Sequence, residues 1–362
     1  MQAVAAVLDK PGGPLTLEEL TLEAPRPTEV VVKLASVGIC RSDLHAMTTT
    51  AGPVVLGHEG AGVVEAVGSA VTKVAPGDPV LMTFLSCGAC ERCLRAEVAY
   101  CERFNELNFS GTRADGTSAL SRSGQVVSGH FLGQSCFATH CIAGERSVVR
   151  LPPGTDLRPL GPLGCGFQTG AGAVLNALRP PFGSSLAVFG AGAVGLASIA
   201  AAARCGCRPV VAIDTNPSRL DVAANLGATD AVDAASGDAE AQLRRIRPRG
   251  FDFALDTTGR ADVMEQAVAA LNTRGVCGVV GAGGDDRLTL DWRTVLNGRT
   301  VTGIIAGNSI PDLFLPQLVG EVQSGRLPLD RLITYYPFTD IAAAVEDAEA
   351  GRVVKPVLVF SE

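Results

Sequence analysis

Apolar and polar positions along the chain follow two rhythms. From the start to about residue 80 they mark short strands broken by turns. Gln2-Ala3-Val4-Ala5-Ala6-Val7 and Glu29-Val30-Val31-Val32-Lys33-Leu34 are apolar runs of strand length, punctuated by Pro11-Gly12-Gly13-Pro14 and Pro25-Arg26-Pro27. The Gly/Val-rich stretch 57–68 predicts a tightly turned strand. Residues 102–130 are polar and predict a long ordered loop or hairpin. Apolar residues return over 130–142, and 148–154 predicts a strand that ends this β-rich part. Beyond it the pattern alternates between strand and helix. Helices are expected over 167–178, 196–203, 218–225, 237–246 and 261–271. Strands are expected over 185–189, 209–213, 251–256, 275–280 and 300–306. That alternation predicts an α/β fold with a doubly wound parallel sheet. The tail from 310 predicts two helices and a final strand over 355–360, placed back on the β-rich part.

Composition narrows the class. The chain has 362 residues, enough for two domains with separate cores. Hydrophobic residues at 47% and charged residues at 19% fit a globular enzyme. A net charge of -7 and the lack of a basic run argue against nucleic acid and an acidic membrane surface. The first residues read as a strand rather than a signal peptide, and no apolar run is of membrane-spanning length, so the expected location is cytoplasmic. Eleven cysteines in that setting favour thiolates and metal over disulfides.

The centre of the second rhythm is Gly190-Ala191-Gly192-Ala193-Val194-Gly195. It follows a strand, opens a helix, and is followed by a second strand ending at Asp214. In this βαβ context Gly190 permits the turn, Gly192 lets a pyrophosphate approach the backbone, and Gly195 lets helix and strand pack closely. Asp214 would accept hydrogen bonds from the adenosine ribose and repel a 2′-phosphate, which predicts NAD rather than NADP.

The cysteines and histidines supply two metal sets. Cys87, Cys90, Cys93 and Cys101 have the spacing C-x₂-C-x₂-C-x₇-C, which closes a tetrahedral, structural zinc site. Iron–sulfur ligation is the alternative, but Cys101 is followed by Glu102 where ferredoxin-type runs place a proline. Cys40, His58 and Cys165 make a Cys₂His set with one position open, the composition of a catalytic zinc. Asp43 is placed to orient the His58 imidazole, and Glu59 to approach the metal as ligands exchange. The other five cysteines (Cys136, Cys141, Cys205, Cys207 and Cys277), with His130 and His140, read as packing groups. On spacing alone Ser42 fits a helix cap, and His45 is as much a surface histidine as a proton carrier.

These motifs together resemble the zinc-dependent medium-chain alcohol dehydrogenases over the whole chain. The stretches GCGFQTGAGAVLN (164–176) and FLGQSCFAT (131–139) resemble the aryl-alcohol (benzyl alcohol) branch, which also holds enzymes of allylic terpene alcohols. The resemblance implies a GroES-like catalytic domain over 1–166, completed by 306–362, and a Rossmann domain over 167–305. It implies two zinc ions per chain, an NAD cofactor, a small alcohol or aldehyde substrate, and a homodimer or tetramer. By position, Arg41 and Lys355 would contact the pyrophosphate, and Arg219 the adenosine ribose. Thr169, Val194, Ala282 and Ile305 would border the nicotinamide. Ser42 and His45 would relay the proton, with Glu59 assisting at the metal. Phe84, Phe104, Leu107, Phe109, Ile304 and Ile305 are candidates for an apolar substrate slot. The expected reaction is reversible oxidation of a primary aromatic or allylic alcohol to the aldehyde, with hydride transfer to NAD⁺. A thiol-dependent formaldehyde dehydrogenase is one alternative; it needs a cationic patch, for which Arg113 and Arg122 are the candidates. A non-catalytic nucleotide-sensing relative is the other.

Overall fold

The computed structural model describes residues 1–281 and 287–360. The chain divides into two compact units. One comprises Met1–Gly166, Ile310–Gly320 and Asp330–Glu362, the other Phe167–Ser309 and Glu321–Leu329.

The first unit is built on two sheets. One orders its strands Val54–Val55, Gln2–Leu8, Leu15–Leu22, Leu120–Arg122 and Gln125–Val127. The other runs Val148–Arg150, Pro79–Met82, Glu59–Val67, Glu29–Gly38, Lys355–Val359 and Ile333–Pro337, with His140–Gly144 also paired to Glu29–Gly38. The alternating Val/Leu positions fill the core: Val30, Val32, Val80, Leu81, Val357 and Leu358 are all fully buried. The register sets the site. Gly38 faces Glu59 across the antiparallel pair, so the ends of these two strands bring Cys40 and His58 together.

The second unit carries a six-stranded parallel sheet. Its order is Asp230–Asp233, Val210–Asp214, Leu186–Phe189, Phe251–Asp256, Leu271–Val279 and Thr300–Gly303. The order reverses at Leu186–Phe189, the switch point of a doubly wound sheet. Phe189, Ile213, Val232, Phe251 and Leu271 lie in one buried cluster with Leu243 from the helix Ala239–Ile246.

Three expectations change. The tail does not return as a block: Ala306–Asn308 and Glu321–Leu329 belong to the second unit. There Ser309 donates to Gln168 at 2.9 Å, Asn176 to the Gly307 carbonyl at 3.1 Å, and Leu327 and Leu329 are buried. The polar stretch after Cys101 is not only a hairpin; it opens with the helix Phe104–Phe109, whose Leu107 and Asn108 are buried. The last strand of the parallel sheet stops at Gly303.

Candidate active site and metal centres

In the first unit, Cys40 sits where the strand Glu29–Gly38 gives way to the helix Arg41–Thr49. Asp43 ties that junction. Its Oδ2 accepts from the Cys40 amide at 2.8 Å, and its Oδ1 accepts from the Gly57 amide at 3.1 Å and contacts His58 Nδ1 at 2.8 Å. A carboxylate only accepts, so Nδ1 carries a proton and Nε2 is the ring atom left to ligate. That Nε2 is buried and has no partner among the described residues. Such an orphan is costly unless something binds it. The Cys40, Cys165, His58 and Glu59 ligand atoms all lie within 4.8 Å of one another, so sequence positions 40, 58, 59 and 165 converge on one point. The Cys165 thiol beside Cys40 holds the Cys40 thiol well below its ordinary value, against the effect of burial. Two sulfurs, one thiolate-prone, and an orphaned imidazole nitrogen fit zinc.

The backbone leaves little slack here. A side chain at Gly164 would meet the Met82 carbonyl at 1.9 Å, and one at Gly38 would meet the Glu59 carboxylate at 2.1 Å. Gln134 braces the site from below, donating to the His58 carbonyl at 2.8 Å and the Thr83 carbonyl at 3.1 Å. Neither Gln134 nor Phe131 stood out as a site residue in the sequence, although both lie in FLGQSCFAT.

Lys355 differs from expectation. It is 2% exposed, and its ammonium donates to both Glu59 oxygens, at 3.1 and 3.0 Å, and to the Ile39 carbonyl at 3.0 Å. Three donors meet three acceptors, so none is left for a pyrophosphate, and that role is withdrawn. The Gly166 amide adds a further donor to Glu59 Oε1 at 3.0 Å. Burial pushes the Glu59 carboxyl up to about 7 despite the Lys355 charge beside it. Lys355 therefore acts as the clamp on Glu59.

Ser42 and His45 lie one turn apart on the helix Arg41–Thr49, both exposed, as is Arg41. Ser42 Oγ is 4.0 Å from Cys40 Sγ. A run of rings starts from the same site. Phe131 meets His58 edge-on with centroids 5.5 Å apart, Phe109 meets Phe131 at 6.1 Å, Phe104 meets Phe109 at 6.2 Å, and Phe84 meets Phe104 at 5.6 Å. Phe109 is 53% exposed, so its face is free to meet a ligand.

The second cysteine set forms a compact knot. Cys87 and Cys93 sulfurs are 3.9 Å apart, and those of Cys90 and Cys101 are 4.0 Å apart. Tetrahedral zinc with Zn–S of about 2.3 Å requires sulfurs about 3.8 Å apart, so this geometry fits it. Amides of Ala89 and Cys90 donate to Cys87 Sγ, and the former leads in lowering that thiol to about 6. All eleven cysteines are free of disulfides.

In the second unit the three glycines differ in their surroundings. Gly190 has φ of +91°, and a side chain there would meet Thr257 Oγ1 at 2.6 Å. A side chain at Gly195 would meet the Gly190 carbonyl at 1.8 Å. Gly192, by contrast, faces open space and starts the helix Ala193–Arg204, as an anion seat must. Asp214 Oδ2 accepts from the Ala191 amide at 2.6 Å and so also pins the loop. Thr169, Val194 and Arg219 are half-buried, and Arg219 Nε is buried without a partner among the described residues. Ile305 is 40% exposed. Ala282 lies outside the described residues.

The comparisons agree with this chemistry. Residues 26–153 match the alcohol dehydrogenase GroES-like domain, and residues 193–319 match the zinc-binding dehydrogenase domain. The chain is 40% identical to geraniol dehydrogenase of Castellaniella defragrans, over 99% of this chain and 98% of that one. Benzyl alcohol dehydrogenase of Acinetobacter calcoaceticus superposes with a TM-score of 0.96 at 37% identity, covering 100% of both chains. An alcohol dehydrogenase zinc-binding domain protein of Burkholderia ambifaria does so with a TM-score of 0.97 at 42% identity, again covering 100% of both. The chain belongs to the zinc-dependent medium-chain alcohol dehydrogenases. It is an oxidoreductase acting on a small alcohol, in a family that uses zinc and a nicotinamide dinucleotide. No helix among the described residues is long and apolar enough to cross a membrane.

Proposed function

We propose that this enzyme oxidises a primary aromatic or allylic alcohol to the aldehyde, reversibly, with NAD⁺ as hydride acceptor. The observation that carries the substrate class is the run of rings Phe131–Phe109–Phe104–Phe84 leading away from His58. Flat π-systems gain from offset or edge contacts with such rings, whereas a short aliphatic alcohol does not. Two relatives are named for geraniol and benzyl alcohol, each of which has its carbinol next to an unsaturated carbon, and this supports the reading.

Cys40, His58 and Cys165 would hold the catalytic zinc, with the Glu59 carboxylate at hand as a fourth ligand. Zinc at such a site supplies Lewis-acid stabilisation and lowers the pKa of the alcohol. Asp43 fixes the imidazole tautomer, and the Lys355–Glu59 clamp sets how far the carboxylate swings. Ser42 would accept the hydroxyl proton as it passes on its own, and His45, one turn further along the helix, would be the last group of the relay before solvent. Cys87, Cys90, Cys93 and Cys101 would hold a second, structural zinc. Asp214 supports NAD over NADP. Arg41, Thr169, Val194, Arg219 and Ile305 keep their proposed places along the cofactor. An edge strand, Thr300–Gly303, with exposed Trp292, Val295 and Leu296 in the second unit, supports a homodimer. The thiol-adduct alternative loses its cationic patch. Arg113 is paired with Glu29 at 2.7 Å and Glu23 at 2.7 Å, and Arg122 with Asp9 at 2.8 Å and Glu18 at 3.0 Å.

The test is Phe109→Ala. The expected result is a loss of about tenfold in kcat/KM for benzyl alcohol, one aromatic contact of about 1.5 kcal/mol, with ethanol changed less than about twofold. Equal losses for both alcohols, or none, would remove the aromatic run from substrate selection.

A further inference from the structure

The parallel sheet has two rims. The glycine loop lies at the carboxyl rim, after Phe189, whose neighbour across the pair is Asp256. The same neighbouring strand begins at Phe251, five residues earlier, so its other end is about 17 Å away. At that amino rim lies a concavity of about 470 Å³. It runs between the helices Ala239–Ile246 and Ala261–Ala269 and is closed by the turn 247–250 and Arg299.

Its charges do not balance. Three acids line it; two are ion-paired and the third, Glu265, is held by a backbone amide. Glu240 pairs with Arg244 at 2.7 Å, Asp262 with Arg260 at 2.9 Å, and Glu265 accepts from the Thr289 amide at 3.0 Å. Of its four arginines, Arg244 is closely paired, Arg247 has only a long ion pair, and Arg249 and Arg299 have no counter-ion among the described residues. Arg247 reaches Asp252 only at 3.8 Å, and its buried Nε has no partner among the described residues. Asp252 itself already accepts from Ser185 at 2.9 and 2.7 Å and from Asn272 at 2.6 Å. Arg249 makes no ion pair or side-chain hydrogen bond among the described residues. Among the described residues Arg299 donates only to the main-chain carbonyls of Leu271 and Asn272. Burial, reinforced by the charge of Arg244, pulls the Arg299 guanidinium below its ordinary value, as expected for a cation without a counter-charge.

Planar guanidinium forks match phosphate oxygens in pairs, and the volume is in the range of small-molecule sites. We propose that this pocket binds a small organic phosphate monoester, with the phosphate held by Arg247, Arg249 and Arg299. The site is separate from the cofactor's, since none of its lining residues belongs to the glycine loop or is Asp214. It does not depend on which alcohol the enzyme oxidises.

The experiment is calorimetric titration of the zinc-loaded enzyme at saturating NAD⁺, so that the cofactor site is filled. The probes are glucose 6-phosphate, glucose and inorganic phosphate. Saturable binding of glucose 6-phosphate with Kd below about 1 mM, with none of glucose, is the expected result. Inorganic phosphate should bind more weakly. The double variant Arg247→Ala, Arg249→Ala should raise that Kd at least about tenfold and leave NAD⁺ reduction and Tm unchanged. Absence of binding, an equal Kd in the double variant, binding of glucose alone, tighter binding of inorganic phosphate, or displacement by NAD⁺ would overturn the proposal.

Discussion

At the scale of single residues, two buried groups govern what can be tested. Lys355 and Glu59 form an ion pair with side-chain exposures of 3% and 0%. Lys355→Met would leave the carboxylate with only the Gly166 amide as a donor. Removing one partner of such a pair costs about 3 kcal/mol. The urea midpoint should fall accordingly, and Lys355→Arg should recover part of it; an unchanged midpoint would show that the clamp is not needed. His130 is the second group. Burial, with Arg113 nearby, pushes its pKa down to about 4 from the ordinary 6.5. Above about pH 6.5 it is neutral folded or unfolded and contributes no pH dependence. Below that, the unfolded chain takes up a proton that the folded chain refuses, so stability falls as pH approaches 4. The loss at pH 4.5 relative to pH 7 is about 2.5 kcal/mol for this group. Urea unfolding at both pH values should show His130→Asn losing that much less than the parent protein. Identical losses would contradict the assignment. The sequence showed both residues without their environments. Lys355 was placed by its position near the end of the chain, and only the strand pairing of Lys355–Val359 beside Glu29–Gly38 reveals that it points at Glu59.

At the scale of elements, the cysteine lobe is the most self-contained feature. Its spacing alone predicted four converging sulfurs, because ligands so close in sequence need only a tight turn to meet. Cys90→Ser should lower the zinc count from two per chain to one and reduce Tm, since the lobe spanning 87–101 has little apolar core of its own; exposed Leu94 illustrates this. Two zincs retained in that variant would contradict the lobe assignment. Other elements were less legible. The edge strand Asp230–Asp233 buries only Val232, too little to register as an apolar alternation. The helix Phe104–Phe109 was hidden in a polar stretch, because six residues show barely more than one helical period. The division of the tail was hidden for another reason. Contacts such as Ser309 with Gln168 span 141 residues and leave no local periodicity. The glycine loop and its flanking strands were legible because all three constraints, a positive φ, an open Gly192 and a close Gly195, demand the same residue at fixed offsets.

At the scale of the whole molecule, the account joins two chemistries in one chain. One unit gathers Cys40, His58, Cys165 and Glu59 beside a run of aromatic rings, and the other carries the dinucleotide loop with Asp214 at its second strand. The four-cysteine set was readable from its spacing, and the Cys₂His set from its residue types and neighbours. The aromatic run was readable only in part, because Phe131 joins it from a segment distant in sequence from Phe104 and Phe109. The measurement that tests the central claim most directly is NAD⁺ reduction by protein of counted zinc content, with benzyl alcohol and ethanol compared and NADP⁺ as the control acceptor. The account predicts two zincs per chain, a kcat/KM for benzyl alcohol well above that for ethanol, and preference for NAD⁺. Ethanol preferred over benzyl alcohol, or no turnover of either by protein holding two zincs, would contradict it.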